Sequence, residues 1–207
     1  MKKVLIASMA LGATLSVASV SNAVISGSAH DFSSFGWSNG EICLPCHTPH
    51  NAKGAATTAG PLWNHVATTA TYTVYSNPGS LDAVPGQPAG ISKACLSCHD
   101  GTIALEAFGT VTAGASFIAG TGNLGTDLSN DHPVSFIYNT ALATLDGGLH
   151  DPASKITGLG GTIAADLLFA GSLQCASCHD VHNSYGLANL LVVTNAGSAL
   201  CLTCHNK

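Results

Sequence analysis

Eight cysteines constrain this chain more than any other feature. They fall in four copies of one pattern, CLPCH at 43–47, CLSCH at 95–99, CASCH at 175–179 and CLTCH at 201–205, with none left over. C-x-x-C pairs also build zinc knuckles, redox dithiols and disulfides. None of those needs a histidine directly after the second cysteine. Histidine is 10 of 207 residues, so four such placements in four have chance odds on the order of one in a hundred thousand. C-x-x-C-H is the pattern of covalent haem attachment. Two thiols add to the vinyl groups on one edge of the porphyrin, and the next residue lies under the iron as an imidazole ligand. The expected thioether residues are Cys43, Cys46, Cys95, Cys98, Cys175, Cys178, Cys201 and Cys204. The expected proximal ligands are His47, His99, His179 and His205, one for each of four haem c groups.

The first 23 residues read as an export signal. Lys2 and Lys3 precede an apolar run, and Ser21-Asn22-Ala23 ends it with small residues suited to cleavage. The alternative, a membrane anchor, is disfavoured by a run that is short and broken by Ser, Thr and Gly. The expected mature chain is 24–207, a single tetrahaem domain outside the cytoplasm with no membrane span. Its only methionines, Met1 and Met9, leave with the leader. His/Met ligation is thereby excluded, and the sixth ligand of each iron is histidine, something rarer or nothing.

Six histidines remain after the proximal four: His30, His50, His65, His132, His150 and His182. His50 and His182 each lie three residues after a proximal histidine. From there neither ring can reach the opposite face of the same iron, so each is expected to ligate a different haem. His132 precedes Pro133, which biases it to extended backbone. His30, His132 and His65 complete the distal candidates with His50 and His182. His65 has a competing reading, packing beside Trp63 near a propionate, and His150 reads as a turn residue.

Removing the leader leaves 4 lysines, no arginine and 11 acidic residues, a net charge of −7. Such a chain does not bind nucleic acid, which needs cations to neutralise phosphates. Aromatics are 6% and charged residues 8%. The side-chain core is therefore thin, and the porphyrins are expected to supply apolar surface. The fold expected is mostly irregular chain around a haem core, with short helices at the C-x-x-C-H sites and a few short strands. TYTVY at 71–75 and LLVVT at 190–194 are the strand candidates. C-x-x-C-H-x-x-H followed by plain C-x-x-C-H occurs twice, so two dihaem-like halves are expected, about 24–106 and 130–207.

Several stretches now carry a resemblance: SAHDFSSFGWSNGEICLPCHTPHNA, PLWNH, ISKACLSCHDGTIA, LSNDHPVSF, CASCHDVHN and SALCLTCHNK. Together they resemble the extracellular tetrahaem cytochromes of metal-reducing bacteria that form filaments. The likeness spans most of the mature chain and is weakest within 107–126 and 141–170. It implies a haem chain running through each subunit into the next, with one distal histidine donated across the junction. His50 or His30, near the first haem site, is the expected donor. The partners implied are further copies of the chain, other redox proteins and extracellular electron acceptors. Two other readings stand beside this one. A monomeric periplasmic electron shuttle would share every haem argument. A multihaem oxyanion reductase would need an open haem and cationic side chains, and the chain is poor in the latter.

Overall fold

A computed structural model describes residues 24–53 and 62–206. The expected leader, 1–23, lies outside them. Regular structure is sparse. Helix α1 spans Gly90–His99, α2 Thr140–Asp146, α3 Ile163–Asp166 and α4 Ala199–Cys204. Strand β1 (Thr73–Val74) pairs in parallel with β2 (Asp127–Leu128), and β3 (Phe136–Ile137) pairs antiparallel with β4 (Ser172–Leu173). Among the described residues no helix is long and apolar enough to cross a membrane.

Two helices contain an attachment motif, as the sequence suggests for KACLSCH and SALCLTCH. In α1 the buried residues are Ser92, Ala94, Leu96 and Ser97, so the buried side is largely small and polar. α1 ends as the chain turns at Gly101, whose φ is +70°. A Cβ there would sit 2.7 Å from the Asn123 side chain, so both conformation and space require glycine. α2 is held at its start by Asn139, whose side chain accepts from Leu142 N–H at 2.9 Å.

The core divides into small clusters. One joins Tyr138, Ala143, Ile163, Leu167, Leu173 and Val192, with Cys204 packed against it. A second is Trp63 with Ala94 and Cys46, and a third is Tyr72, Leu96 and Leu128. Fully buried side chains such as Ile163 and Leu167 contribute about 1.5–3 kcal/mol each. Polar contacts tie the clusters together. Gln174 Oε1 accepts from Ser92 N–H at 3.2 Å and from the Ser92 hydroxyl. The same Ser92 Oγ accepts from Cys175 N–H at 3.0 Å. This brace locks α1 onto the turn at Cys175–Ser177, so the two halves of the sequence interlock.

TYTVY contributes β1. LLVVT does not form a strand. Leu190 and the preceding Asn189 both sit at φ 57°, a left-handed bend that strands do not tolerate. The segment makes one isolated bridge, His179 to Leu191, and then turns Val192 into the core. Its β-branched content serves packing.

Candidate haem centres

The four attachment motifs share one local geometry. In three of them the histidine N–H donates to the carbonyl of the first cysteine: His47 to Cys43 at 2.8 Å, His179 to Cys175 at 3.1 Å and His205 to Cys201 at 2.9 Å. The fourth, Cys95–His99, ends α1. One helical turn therefore puts both thiols and the imidazole on one side. Three of the motif histidines then bridge to a separate segment, His47 to Trp63, His179 to Leu191 and His205 to Leu149. These bridges fix where each turn points.

The thiols adjoin one another in chain order. Burial, with smaller contributions from Cys46 and Asp100, pushes Cys98 up to about 12. A hydrogen bond between Cys95 and Cys175 raises the first and lowers the second. Burial, then Cys175 and Cys201, raises Cys178. Burial and then Cys178 push Cys204 up to about 11. The first site thus neighbours the second, the second the third, and the third the fourth. No disulfide joins any of the eight cysteines. No group of three or more His, Cys, Asp or Glu that could hold a metal ion occurs among the described residues.

Three of the motif histidines lie near a second imidazole. His30 lies 5.9 Å from His99 between ring centroids, His182 lies 6.2 Å from His47, and His132 lies 6.3 Å from His205. Metal–imidazole bonds of about 2 Å, plus about 1.1 Å from each bonded nitrogen to its ring centre, place two axial imidazoles about 6 Å apart. All three pairs have the separation that one iron ligated on both faces requires. Ring orientation is fixed from behind. Nδ1 of His99 meets Gly122 O at 2.7 Å, that of His179 meets Asn189 O at 3.0 Å, and that of His132 meets Pro133 O at 3.0 Å. An Nδ1–H donated to a carbonyl leaves Nε2 as the basic, metal-facing nitrogen. His30 is held neutral, pushed down to about 4 by burial first and then by His99 and His179. A neutral ring is the form that ligates iron.

The remaining histidines differ. His65 is 1% exposed, and its nitrogens face Val66 O at 2.8 Å and Ala104 O at 3.1 Å. A neutral ring donates to only one of these carbonyls, and Nε2 also lies 3.6 Å from Cys98 Sγ, beside the second attachment motif. It packs 6.4 Å from the Trp63 ring. His150 is joined through its backbone, donating N–H to Cys204 O at 2.8 Å and accepting from Tyr138. His50 is exposed. Among the described residues, neither His50 nor His179 faces a second ring.

Two features were not singled out from sequence. The residue after His99 is a buried carboxylate, Asp100, 4% exposed. It accepts from Thr68 Oγ1 and Tyr72 OH at 2.6 Å each, and from Thr102 N–H and Oγ1 at 2.7 and 2.8 Å. Burial alone would raise it, but these four hydrogen bonds outweigh that and hold it below its usual value. The C-H-D sequence was the available signal. The second feature is a row of aromatic rings near the N-terminus, Phe32, Phe35, Trp37 and Phe108, with centroids 5.3–6.1 Å apart.

No curated protein matches the chain. Residues 169–207, containing the third and fourth attachment motifs, match the family model described as the doubled CXXCH motif. A doubled motif of this kind indicates a multihaem c-type cytochrome, with covalently bound haem c and electron transfer as its work.

Proposed function

We propose that the chain binds four haems and assembles head to tail into an extracellular filament that carries electrons over long distances, in the manner of the cytochrome OmcE. One observation supports this reading: among the described residues His99, His47 and His205 each lie about 6 Å from a second imidazole, while His179 and His50 do not. His50 of one subunit is the natural sixth ligand for the iron at His179 of its neighbour. The echo between the two C-x-x-C-H-x-x-H stretches supports this. In the second stretch His182 turns away from its own site to face His47. His50 would do the same for the third site, in a different copy of the chain.

In this reading the distal ligands within a subunit are His30, His132 and His182, and His65 is not a ligand. Haem supplies the redox chemistry. The chain's own residues set ring orientation, haem order and local charge. Adjacent attachment sites in chain order allow electrons to hop from the first to the fourth and across the junction. The low surface charge favours association, and other redox proteins or extracellular acceptors would terminate the path.

Negative-stain microscopy of protein sheared from cells, paired with the spin state of ferric haem, tests the proposal. Thin filaments with every haem low-spin are expected, and dissociated subunits should show one high-spin haem in four. Monodisperse single subunits with four low-spin haems would replace the filament with a diffusing shuttle. A native high-spin haem that shifts on adding nitrite would favour a reductase.

A further inference from the structure

Three buried side-chain polar atoms lack a hydrogen-bond partner among the described residues: His30 Nδ1, Lys53 Nζ and Trp63 Nε1. The first belongs to a ring already paired with His99. The other two are both donors, and both sit beside the first attachment site.

The segment 62–65 is laced to the first attachment loop. Thr48 N–H donates to Leu62 O at 2.9 Å, Lys53 N–H to Trp63 O at 2.7 Å and Asn64 N–H to Cys46 O at 2.9 Å. The Asn64 side chain reaches Leu44 O at 2.6 Å. Trp63 packs on Cys46, and its ring stands perpendicular to His47 at 6.5 Å. The loop thus carries Lys53 and Trp63 together to the edge of the site where Cys43 and Cys46 would fix a porphyrin. Lys53 has a partly exposed stem, yet its ammonium nitrogen is buried. Burial lowers its pKa, and no carboxylate opposes that effect. A cation and an indole N–H withdrawn from water without partners are both unfavourable, and an anion accepting from both relieves the two at once. In a chain of net charge −7 after the leader, with no arginine, an uncompensated buried lysine is conspicuous.

We propose that Lys53 and Trp63 form a carboxylate cradle for a propionate of the haem attached at Cys43, Cys46 and His47. The proposal rests on the haem reading above and adds a binding role for two residues outside the attachment motifs. A propionate carboxylate takes a charge-assisted hydrogen bond from Lys53 Nζ and a neutral one from Trp63 Nε1. The cradle has an electrical consequence. A cation close to the porphyrin favours the reduced, less positive iron and raises the potential of that haem relative to the others.

The test uses the full-length, haem-loaded protein and three variants, Lys53→Met, Lys53→Arg and Trp63→Phe. Haem per chain and ferric spin state are measured first, then a reductive titration that resolves the individual haem potentials. In Lys53→Met one potential should move negative while the others stay. In Trp63→Phe the same haem should move the same way by less. In Lys53→Arg the wild-type value should be nearly restored. Four low-spin haems with unchanged potentials in both Lys53→Met and Trp63→Phe would overturn the cradle and leave the haem reading intact. A wild-type chain without covalent haem would overturn both. Should Lys53→Met fail to fold, Trp63→Phe with Lys53→Arg still decides.

Discussion

The second and third attachment sites share the sequence C-x-S-C-H-D, at 95–100 and 175–180, yet the fold uses them in opposite ways. At the second site a ten-residue helix carries the motif, Asp100 is buried among four donors, and the chain brings back His30 to face His99. At the third site the turn is a single short one, Cys175–Ser177. There Asp180 accepts from the exposed loop that follows it, Ser184 N–H at 2.7 Å and His182 N–H at 3.0 Å. His179 is exposed, and no second ring opposes it among the described residues. The same six residues thus form one inward-facing turn whose histidine lies 5.9 Å from a second imidazole and one outward-facing turn whose histidine has none opposite it among the described residues. Context decides: α1 buries its motif against Thr68 and Tyr72, whereas the third motif leaves strand β4 and runs out into the loop at 180–187.

The largest test of this contrast is to remove one distal ring from each site. His30→Ala and His50→Ala should each leave one ferric haem in four high-spin. On the proposed function, only His50→Ala should also abolish filaments, since there His50 alone is assigned to act between copies. Electron microscopy and the ferric spectrum read the two effects separately. Filaments persisting in His50→Ala with all haems low-spin would show that the third site is closed from within.

The sequence carries the attachment motifs completely, because thiol and imidazole spacing is local covalent geometry. It also carries the argument that His50 and His182 must look away from their own sites, since a three-residue separation forbids anything else. It does not carry the identity of the partners. His30 meets His99 and His132 meets His205 only because irregular chain folds back through bends at residues such as Asn39 (φ 55°) and Ser135 (φ 61°). Such bends leave no periodic trace. His65 is a ligand candidate by type, and its surroundings, the carbonyls of Val66 and Ala104 and the Cys98 thiol, have positions that no side-chain pattern encodes. LLVVT misled for a related reason. β-branched residues favour a pleated, half-buried surface, and here Val192 meets such a surface in the core.

The two aspartates give the next largest effect. Asp100→Asn places an amide N–H₂ among hydroxyl and N–H donors that need an acceptor, and should cost about 2–3 kcal/mol. Asp180→Asn keeps an acceptor oxygen beside exposed N–H groups and should cost about 0.5 kcal/mol. Denaturant titration of each variant measures the difference. The Asp100 effect depends on pH with a definite sign. Its carboxyl lies below the ordinary 3.8 in the folded chain, so its stabilisation is fully present above that value. It is lost as pH falls through the lower, folded value. The gap between wild type and Asp100→Asn should therefore narrow as pH falls below about 3.8, where the unfolded chain takes up the proton, and close once the pH is below the lower folded value. Equal costs for the two variants at neutral pH would erase the inward–outward distinction.

An effect smaller than that of Asp100→Asn lies in the brace between the two sites. Ser92→Ala removes the hydroxyl that donates to Gln174 Oε1 and accepts from Cys175 N–H. Gln174 Oε1 keeps Ser92 N–H and the Ser135 hydroxyl, each at 3.2 Å, so its loss is partial. Cys175 N–H loses the partner that ties the third attachment turn to α1. A net cost of about 1–2 kcal/mol follows, smaller than that of Asp100→Asn. The more telling readout is where the loosening appears. His179 sits four residues beyond the broken contact on an exposed turn, whereas His99 remains held by the Asp100 hydrogen bonds and by Gly122. Amide exchange should therefore rise around 175–180 in Ser92→Ala and stay unchanged across 95–100. A rise at both sites would mean that the brace supports the second as much as the third. The inward-facing site would then owe its order to the same contact as the outward one.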